Sequence, residues 1–160
     1  MASTIVAFEL GGRTVEVMVR PLTTLQAVLR TQLGRTAAKE GCRQGGCGSC
    51  TVLVDGEPML SCLLPVEDVA GRRVTTLEDL TPAAGLDPLQ QAFLAANAFQ
   101  CGYCTPGMVM IARALLDRDP SPSREDIAMA LTGNLCRCTG YTPIVDAIEA
   151  AVAAEGEGPA

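Results

Sequence analysis

The apolar positions of this chain follow two periods, and the period changes about halfway along. In the first part they alternate: residues 3–10 and 14–19 read as two strands joined at Gly11-Gly12, with Val15, Val17 and Val19 on one face. The stretch "LTTLQAVLRTQL", residues 22–33, carries its apolar positions at helical spacing and is predicted to be an amphipathic helix capped by Thr24. A tight hairpin is predicted from "TVLV" at 51–54, the turn pair "DG" at 55–56 and "EPMLSC" at 57–62. Pairing Val54 with Glu57 sets Ser61 opposite Cys50 and Cys62 opposite Ser49. Pro58 has no N–H to give a ladder, so the return strand is expected at an edge or a bulge.

Past residue 88 the spacing is helical. Leu89, Ala92, Phe93 and Ala96 share one face; so do Met108, Ile111, Ala112 and Leu115, and again Ile144, Ala147, Ile148 and Ala151. Three of these helices are expected to begin at a capping residue followed by proline: Asp87-Pro88, Thr105-Pro106 and Thr142-Pro143. A fourth, "SREDIAMAL", has Ser123 and Asp126 spaced as a capping box and Gly133 to end it. The stretch between the halves, residues 65–88, carries prolines and glycines and reads as a connection, with the boundary near 76. The final "AAEGEGPA" reads as a disordered tail. The expectation is therefore an α+β protein. Residues 1–76 form a strand, strand, helix, loop, hairpin unit in the order of a ferredoxin-like β-grasp domain, residues 77–152 an all-α four-helix bundle, and 153–160 the tail.

Composition narrows what such a chain does. Eight cysteines in 160 residues suggest disulfides, but "MASTIVAFELGG" has neither a basic start nor a long apolar run, so no secretory leader is visible and the cytosol is the expected compartment. With 48% hydrophobic residues the chain fills a core without staples. The longest apolar segment, "GMVMIARALL", is broken by Arg113 and is far short of the ~20 residues a membrane span needs. A net charge of -6, two tyrosines, three phenylalanines and no tryptophan speak against a nucleic-acid surface. No nucleophile–base pair and no phosphate loop stands out, so no catalytic residue is assigned.

The cysteine spacing carries the chemistry. Because the chain has no histidine, a metal would be held largely by thiolate, which selects zinc or iron-sulfur clusters. Cys42, Cys47 and Cys50 are spaced C-x4-C-x2-C, and Cys62 follows after eleven residues, delivered by the hairpin: the order of a plant-type 2Fe-2S ferredoxin. Gly41, Gly45, Gly46 and Gly48 in that loop allow positive φ and let backbone N–H groups approach sulfur. Structural zinc would need less glycine, and remains the alternative. Cys101 with Cys104 and Cys136 with Cys138 form C-x2-C and C-x-C, a pattern that by itself suits zinc and iron-sulfur equally. A disulfide across the single residue between Cys136 and Cys138 would close a strained ring, so those two are expected to share a third body. Both pairs lie close to predicted helix N-termini, which favour an anionic cluster.

The stretches "GCRQGGCGSCTVLVDG", "SCL", "QCGYCTPGMVM" and "LTGNLCRCTGYTPIVDAI" resemble the signature segments of the small iron-sulfur subunit of the molybdenum hydroxylases, the xanthine dehydrogenase, carbon monoxide dehydrogenase and aldehyde oxidoreductase family. The resemblance implies two 2Fe-2S clusters, one in each domain, held by Cys42, Cys47, Cys50 and Cys62 and by Cys101, Cys104, Cys136 and Cys138. It implies a large partner subunit that holds molybdopterin, commonly a medium subunit that binds FAD, and assembly as a dimer of heterotrimers. Electrons would leave molybdenum and cross the helical-domain cluster, then the ferredoxin-domain cluster. Gln100 and Cys138 would lie next to the pterin. The chain departs from the usual pattern at "GRTAAKEGC", with two alanines where a tighter turn is common.

Other side chains have plainer readings. Arg137, between two thiols, is a solvated arginine or offsets cluster charge. Tyr103 and Tyr141 read as packing or interface residues, and Met108 and Met110 as core fillers. A free-standing two-cluster ferredoxin is the rival function, and a zinc-bound scaffold the other.

Overall fold

Two sharp reversals in left-handed backbone organise the first half of the chain. Gly11 and Gly12 at φ 57° and 76° join β1 (Thr4–Leu10) to β2 (Arg13–Val19), and Asp55 and Gly56 at φ 53° and 90° join β3 (Thr51–Val54) to β4 (Glu57–Leu60). Positive φ at both central residues matches the right-handed twist of the flanking strands, which is why Gly-Gly and Asp-Gly stand there. The structure is a computed structural model and describes residues 3–156. It is α+β, with a mixed five-stranded sheet in the order β2-β1-β5-β3-β4.

The hairpin register is the one the sequence dictates, Val54 opposite Glu57 and Thr51 opposite Leu60, and Pro58 lies on β4, an edge strand. Helix α1 (Leu25–Thr31) is capped by the Thr24 hydroxyl, which accepts the Ala27 N–H at 3.3 Å. Its Leu25, Val28 and Leu29 join Val6, Phe8, Leu10, Val17, Val19, Val52, Val54 and Val74 in one apolar core. Burial of side chains of this size contributes about 1.5–3 kcal/mol each.

The stretch expected as a connection contains a strand. β5 (Arg73–Thr75) enters the middle of the sheet, parallel to β1 and antiparallel to β3. Three residues with only Val74 facing the core are too short to display a period. A short helix α2 (Leu77–Leu80) follows under a capping box of Thr76 and Asp79.

Four further α-helices follow among the described residues: α3 (Pro88–Ala95), α4 (Thr105–Arg118), α5 (Arg124–Ala130) and α6 (Thr142–Gly156). They enclose a second core around Leu89, Phe93, Met108, Leu115, Ile127, Ile144 and Ile148, which shares no residue with the first. Met110 is buried as well. Asp87 caps α3 and Ser123 caps α5 as expected. Thr105 does not cap α4: the preceding Cys104 holds that position, and the Thr105 hydroxyl is buried with no protein partner. The helix beginning at Thr142 likewise includes the threonine itself. α6 runs to Gly156, four residues into the expected tail, because Ala153 and Ala154 are strong helix formers. The rest of that tail, 157–160, lies outside the described residues.

α4 packs against β3 and β4 on the sheet face opposite α1. All four residues of β3 are buried for this reason: Val52 and Val54 face one helix, Thr51 and Leu53 the other. No helix among the described residues is long and apolar enough to cross a membrane.

Candidate metal centres

The hairpin brings two cysteines of the first set together. Ser61 donates to the Cys50 carbonyl through its N–H at 3.4 Å and its hydroxyl at 2.6 Å, so Cys50 and Cys62 are adjacent and buried at the hairpin base. Burial, with the Cys62 thiol beside it, pushes the Cys50 thiol up to about 11. Cys42 and Cys47 are half-buried in the loop above. A residue the sequence did not flag supports that loop: buried Gln26 of α1 donates its side-chain N–H to the Lys39 carbonyl at 2.6 Å and its backbone N–H to the Ser61 carbonyl at 3.0 Å.

The loop glycines act in two ways. Gly45 and Gly48 occupy left-handed backbone at φ 79° and 70°, whereas Gly41 and Gly46 do not, and Arg43 does at φ 56°. Gly41 is needed for room, because a Cβ there would stand 2.8 Å from Cys47 Sγ. The Gly46 N–H donates to Cys42 Sγ at 3.2 Å. Backbone donation from Gln44, the neighbouring Cys47 thiol and further N–H groups bring the Cys42 thiol down to about 7. At Cys42 the loop therefore favours thiolate.

The second set converges from two loops before helices. Cys101 and Cys138 are exposed with their sulfurs 3.7 Å apart, too far for a disulfide and close enough to share a third body. The Cys138 thiol is shifted upward by the Cys101 thiol against it. Cys104 and Cys136 lie deeper, and burial followed by the Cys136 thiol drives Cys104 up to about 12. For Cys136 burial is the largest single influence and acts upward, but donation from the Thr139 hydroxyl and N–H, the Cys138 N–H and the Cys104 thiol together outweigh it, and the net direction is down. The Thr139 N–H and hydroxyl stand 3.5 and 3.1 Å from Cys136 Sγ. Tyr141, read from the sequence as packing, does pack against the helical core, and its hydroxyl also accepts the Cys136 N–H at 2.9 Å. Gln100 lies at this edge, its side-chain N–H donating to the Cys138 carbonyl at 3.0 Å. Arg137 is exposed.

The two sets are joined by backbone. The Leu135 N–H donates to the Cys47 carbonyl at 2.9 Å, so one cysteine of the first set is a single hydrogen bond from the residue preceding Cys136. Next to it the Gly48 carbonyl accepts from Asn134 Nδ2 at 3.4 Å and from the Thr51 hydroxyl at 2.7 Å. A Cβ on Gly107 of α4 would overlap that same carbonyl, and a Cβ on Gly48 would lie 2.6 Å from the Gly133 carbonyl. Tyr103 adds a bond from its hydroxyl to the Glu40 carbonyl at 2.9 Å. Two glycines and a buried asparagine therefore let the halves touch at their cysteine loops. Asn134 carried no signal in the sequence beyond its place before "LCRC".

The donor chemistry fits iron-sulfur clusters: all eight cysteines are free thiols, and they lie on the two sets of cysteine loops. N–H and O–H groups already approach sulfur in both sets, and the Thr105 hydroxyl is buried without a partner beside Cys104.

Comparison with known proteins agrees with this chemistry. Residues 6–94 match the 2Fe-2S iron-sulfur cluster binding domain family and residues 76–149 the 2Fe-2S binding domain family. The chain is 44% identical over 143 residues to the nicotinate dehydrogenase small FeS subunit of Eubacterium barkeri, covering 89% of this chain and 91% of that one. It is 47% identical over 140 residues to the nicotine 6-hydroxylase small subunit of Paenarthrobacter nicotinovorans, covering 88% and 84%. The crystal structure of quinoline 2-oxidoreductase from Pseudomonas putida 86 superposes with a TM-score of 0.93 at 41% identity over 99% of both chains.

Proposed function

The chain belongs to the small iron-sulfur subunits of the molybdenum hydroxylases, and from that premise we propose which residues make it an electron conductor and in which direction it conducts. Cys42, Cys47, Cys50 and Cys62 would hold one 2Fe-2S cluster, and Cys101, Cys104, Cys136 and Cys138 the other. Each cluster, when bound, stores and releases one electron. The protein's part is to supply thiolate, aim N–H and O–H donors at sulfur, and fix the two sets against each other.

The observation that carries the direction is exposure. Cys101 and Cys138 are exposed, with Gln100 bonded to the Cys138 backbone, whereas Cys50 and Cys62 are buried. An exposed thiolate edge suits entry from a docked partner, so the large molybdopterin-binding subunit would cover this edge, with Gln100 and Cys138 beside the pterin. The Leu135-to-Cys47 hydrogen bond would provide the passage onward, and Gly45, Gly46 and Gly48 would line the first cluster. A medium FAD-binding subunit would receive the electrons, in a cytoplasmic dimer of heterotrimers.

Residues 1–76 would form the ferredoxin-like domain and 77–152 the helical one, whose four longer helices act as a four-helix bundle. Substrate chemistry would lie wholly in the large subunit. The relatives of matching length are named for nicotinate, nicotine and quinoline, and we take a nitrogen heteroaromatic as the substrate class of the complex.

The test is isolation of the native complex with metal and sulfide analysis. Eight thiolates at four per cluster predict about four iron and about four acid-labile sulfide per chain. Stoichiometric larger subunits, one with molybdenum, should accompany it. A colourless, zinc-loaded protein, or an iron-sulfur protein that purifies alone, would refute the assignment.

A further inference from the structure

The short loop after Cys136 contains a hydrogen-bond relay that the conducting role alone does not require. Tyr141 sits in left-handed backbone at φ 70°, an uncommon state for an aromatic residue that its surroundings must enforce. In that state its N–H donates to Thr139 Oγ1 at 3.2 Å, and its hydroxyl accepts the Cys136 N–H at 2.9 Å. Thr139 Oγ1 in turn stands 3.1 Å from Cys136 Sγ. Between a hydroxyl and a thiol either atom can donate, but two facts give this bond a direction. A ligating cysteine is a thiolate and has no proton to give. The threonine oxygen already accepts from Tyr141, so its own proton is left for the sulfur. A donor that is itself accepting a hydrogen bond is polarised and donates more strongly.

We infer that the Thr139 hydroxyl, aligned by Tyr141, is a positioning residue that raises the reduction potential of the cluster held in part by Cys136. This rests on the assignment of Cys136 as a ligand made above. When one electron enters, no bond forms or breaks, but negative charge on the sulfur grows, and a hydrogen bond aimed at it stabilises the reduced state more than the oxidised one. Cys42 of the first set is served differently: it is approached at 3.2 Å by a backbone N–H, which a side-chain substitution does not remove. The relay thus makes the second cluster a better electron acceptor than its bare ligand set would be, and its contribution is separable by mutation.

Mediated redox titration of the purified complex, with each cluster followed by its own EPR signal, tests this. Thr139→Val should reduce the ratio of reduced to oxidised second cluster at a fixed potential about tenfold, equivalent to about 59 mV for a one-electron couple, and leave the first cluster unmoved. Thr139→Ser keeps the hydroxyl and should restore the native midpoint. If the valine variant takes up no second cluster, Thr139→Ala and Thr139→Ser carry the comparison: serine at the native midpoint with alanine lowered supports the relay. Equal midpoints for the hydroxyl and non-hydroxyl variants, or a shift shared by both clusters, would overturn it. Failure of the ligand assignment looks different, since the native protein would then lack the second cluster's iron and signal altogether.

Discussion

The loop of Cys42, Cys47 and Cys50 and the loops of Cys101, Cys104, Cys136 and Cys138 surround their sulfurs in different ways. The first is lined with glycine, packs above a hairpin whose cysteines are buried, and brings backbone N–H groups to sulfur. The second is set before helices, keeps two thiols exposed, and adds to the Thr139 N–H that threonine's hydroxyl, held by the Tyr141 backbone N–H. The first set buries Cys50 and Cys62 and leaves Cys42 and Cys47 half-buried, whereas the second leaves Cys101 and Cys138 exposed, and under the proposed function that exposed edge is the one a partner would cover.

The comparison breaks most visibly at the ligands. Cys47→Ser should cost about two of the roughly four irons and abolish one reducible EPR signal while the other persists, because the sites belong to separate cores. Loss of both signals together would mean that the halves do not stand independently. Next come the cores. Phe8→Ala and Phe93→Ala each empty a fully buried position and should destabilise by about 3–5 kcal/mol, the first loosening the site of Cys42 and the second that of Cys104. Iron release followed during chemical denaturation would show whether each change acts on its own site.

The junction responds less. Gly107→Ala presses a methyl group into the Gly48 carbonyl and should cost about 1–3 kcal/mol. Both EPR signals should survive, with weaker magnetic interaction between the clusters; an unchanged interaction would mean that the halves are held apart by something else. Tyr103→Phe removes one exposed bond to the Glu40 carbonyl and should cost about 0.5–1 kcal/mol in urea denaturation.

Much of this arrangement was legible in the sequence. Asp55-Gly56 and the hairpin count delivered Cys62 to Cys50, and the apolar spacing around Leu89, Met108 and Ile144 gave the helices. What escaped was short or long-range. β5 offers one core side chain, Val74, and its pairing with β1 and β3 is a tertiary fact with no local period. Thr105 precedes a proline, as capping residues do, but Cys104 occupies the cap and the threonine hydroxyl is buried without a protein partner. Gln26 and Asn134 act across many residues of sequence, on Lys39 and Gly48, and their type alone announces nothing. Thr139 stood in plain view between Cys138 and Gly140, yet its role depends on the left-handed turn at Tyr141, which a tyrosine does not advertise.

The direction of conduction is the central claim, and substrate-driven reduction of the assembled complex tests it against chemical reduction by dithionite. In Cys47→Ser the remaining cluster should still be reduced by substrate if electrons enter at the exposed Cys101 and Cys138 edge. In Cys138→Ser the ferredoxin-domain cluster should be reduced by dithionite but only slowly by substrate. If Cys47→Ser blocked substrate reduction of the remaining cluster while Cys138→Ser did not, electrons would enter through the glycine-lined loop, and the proposed order would be reversed.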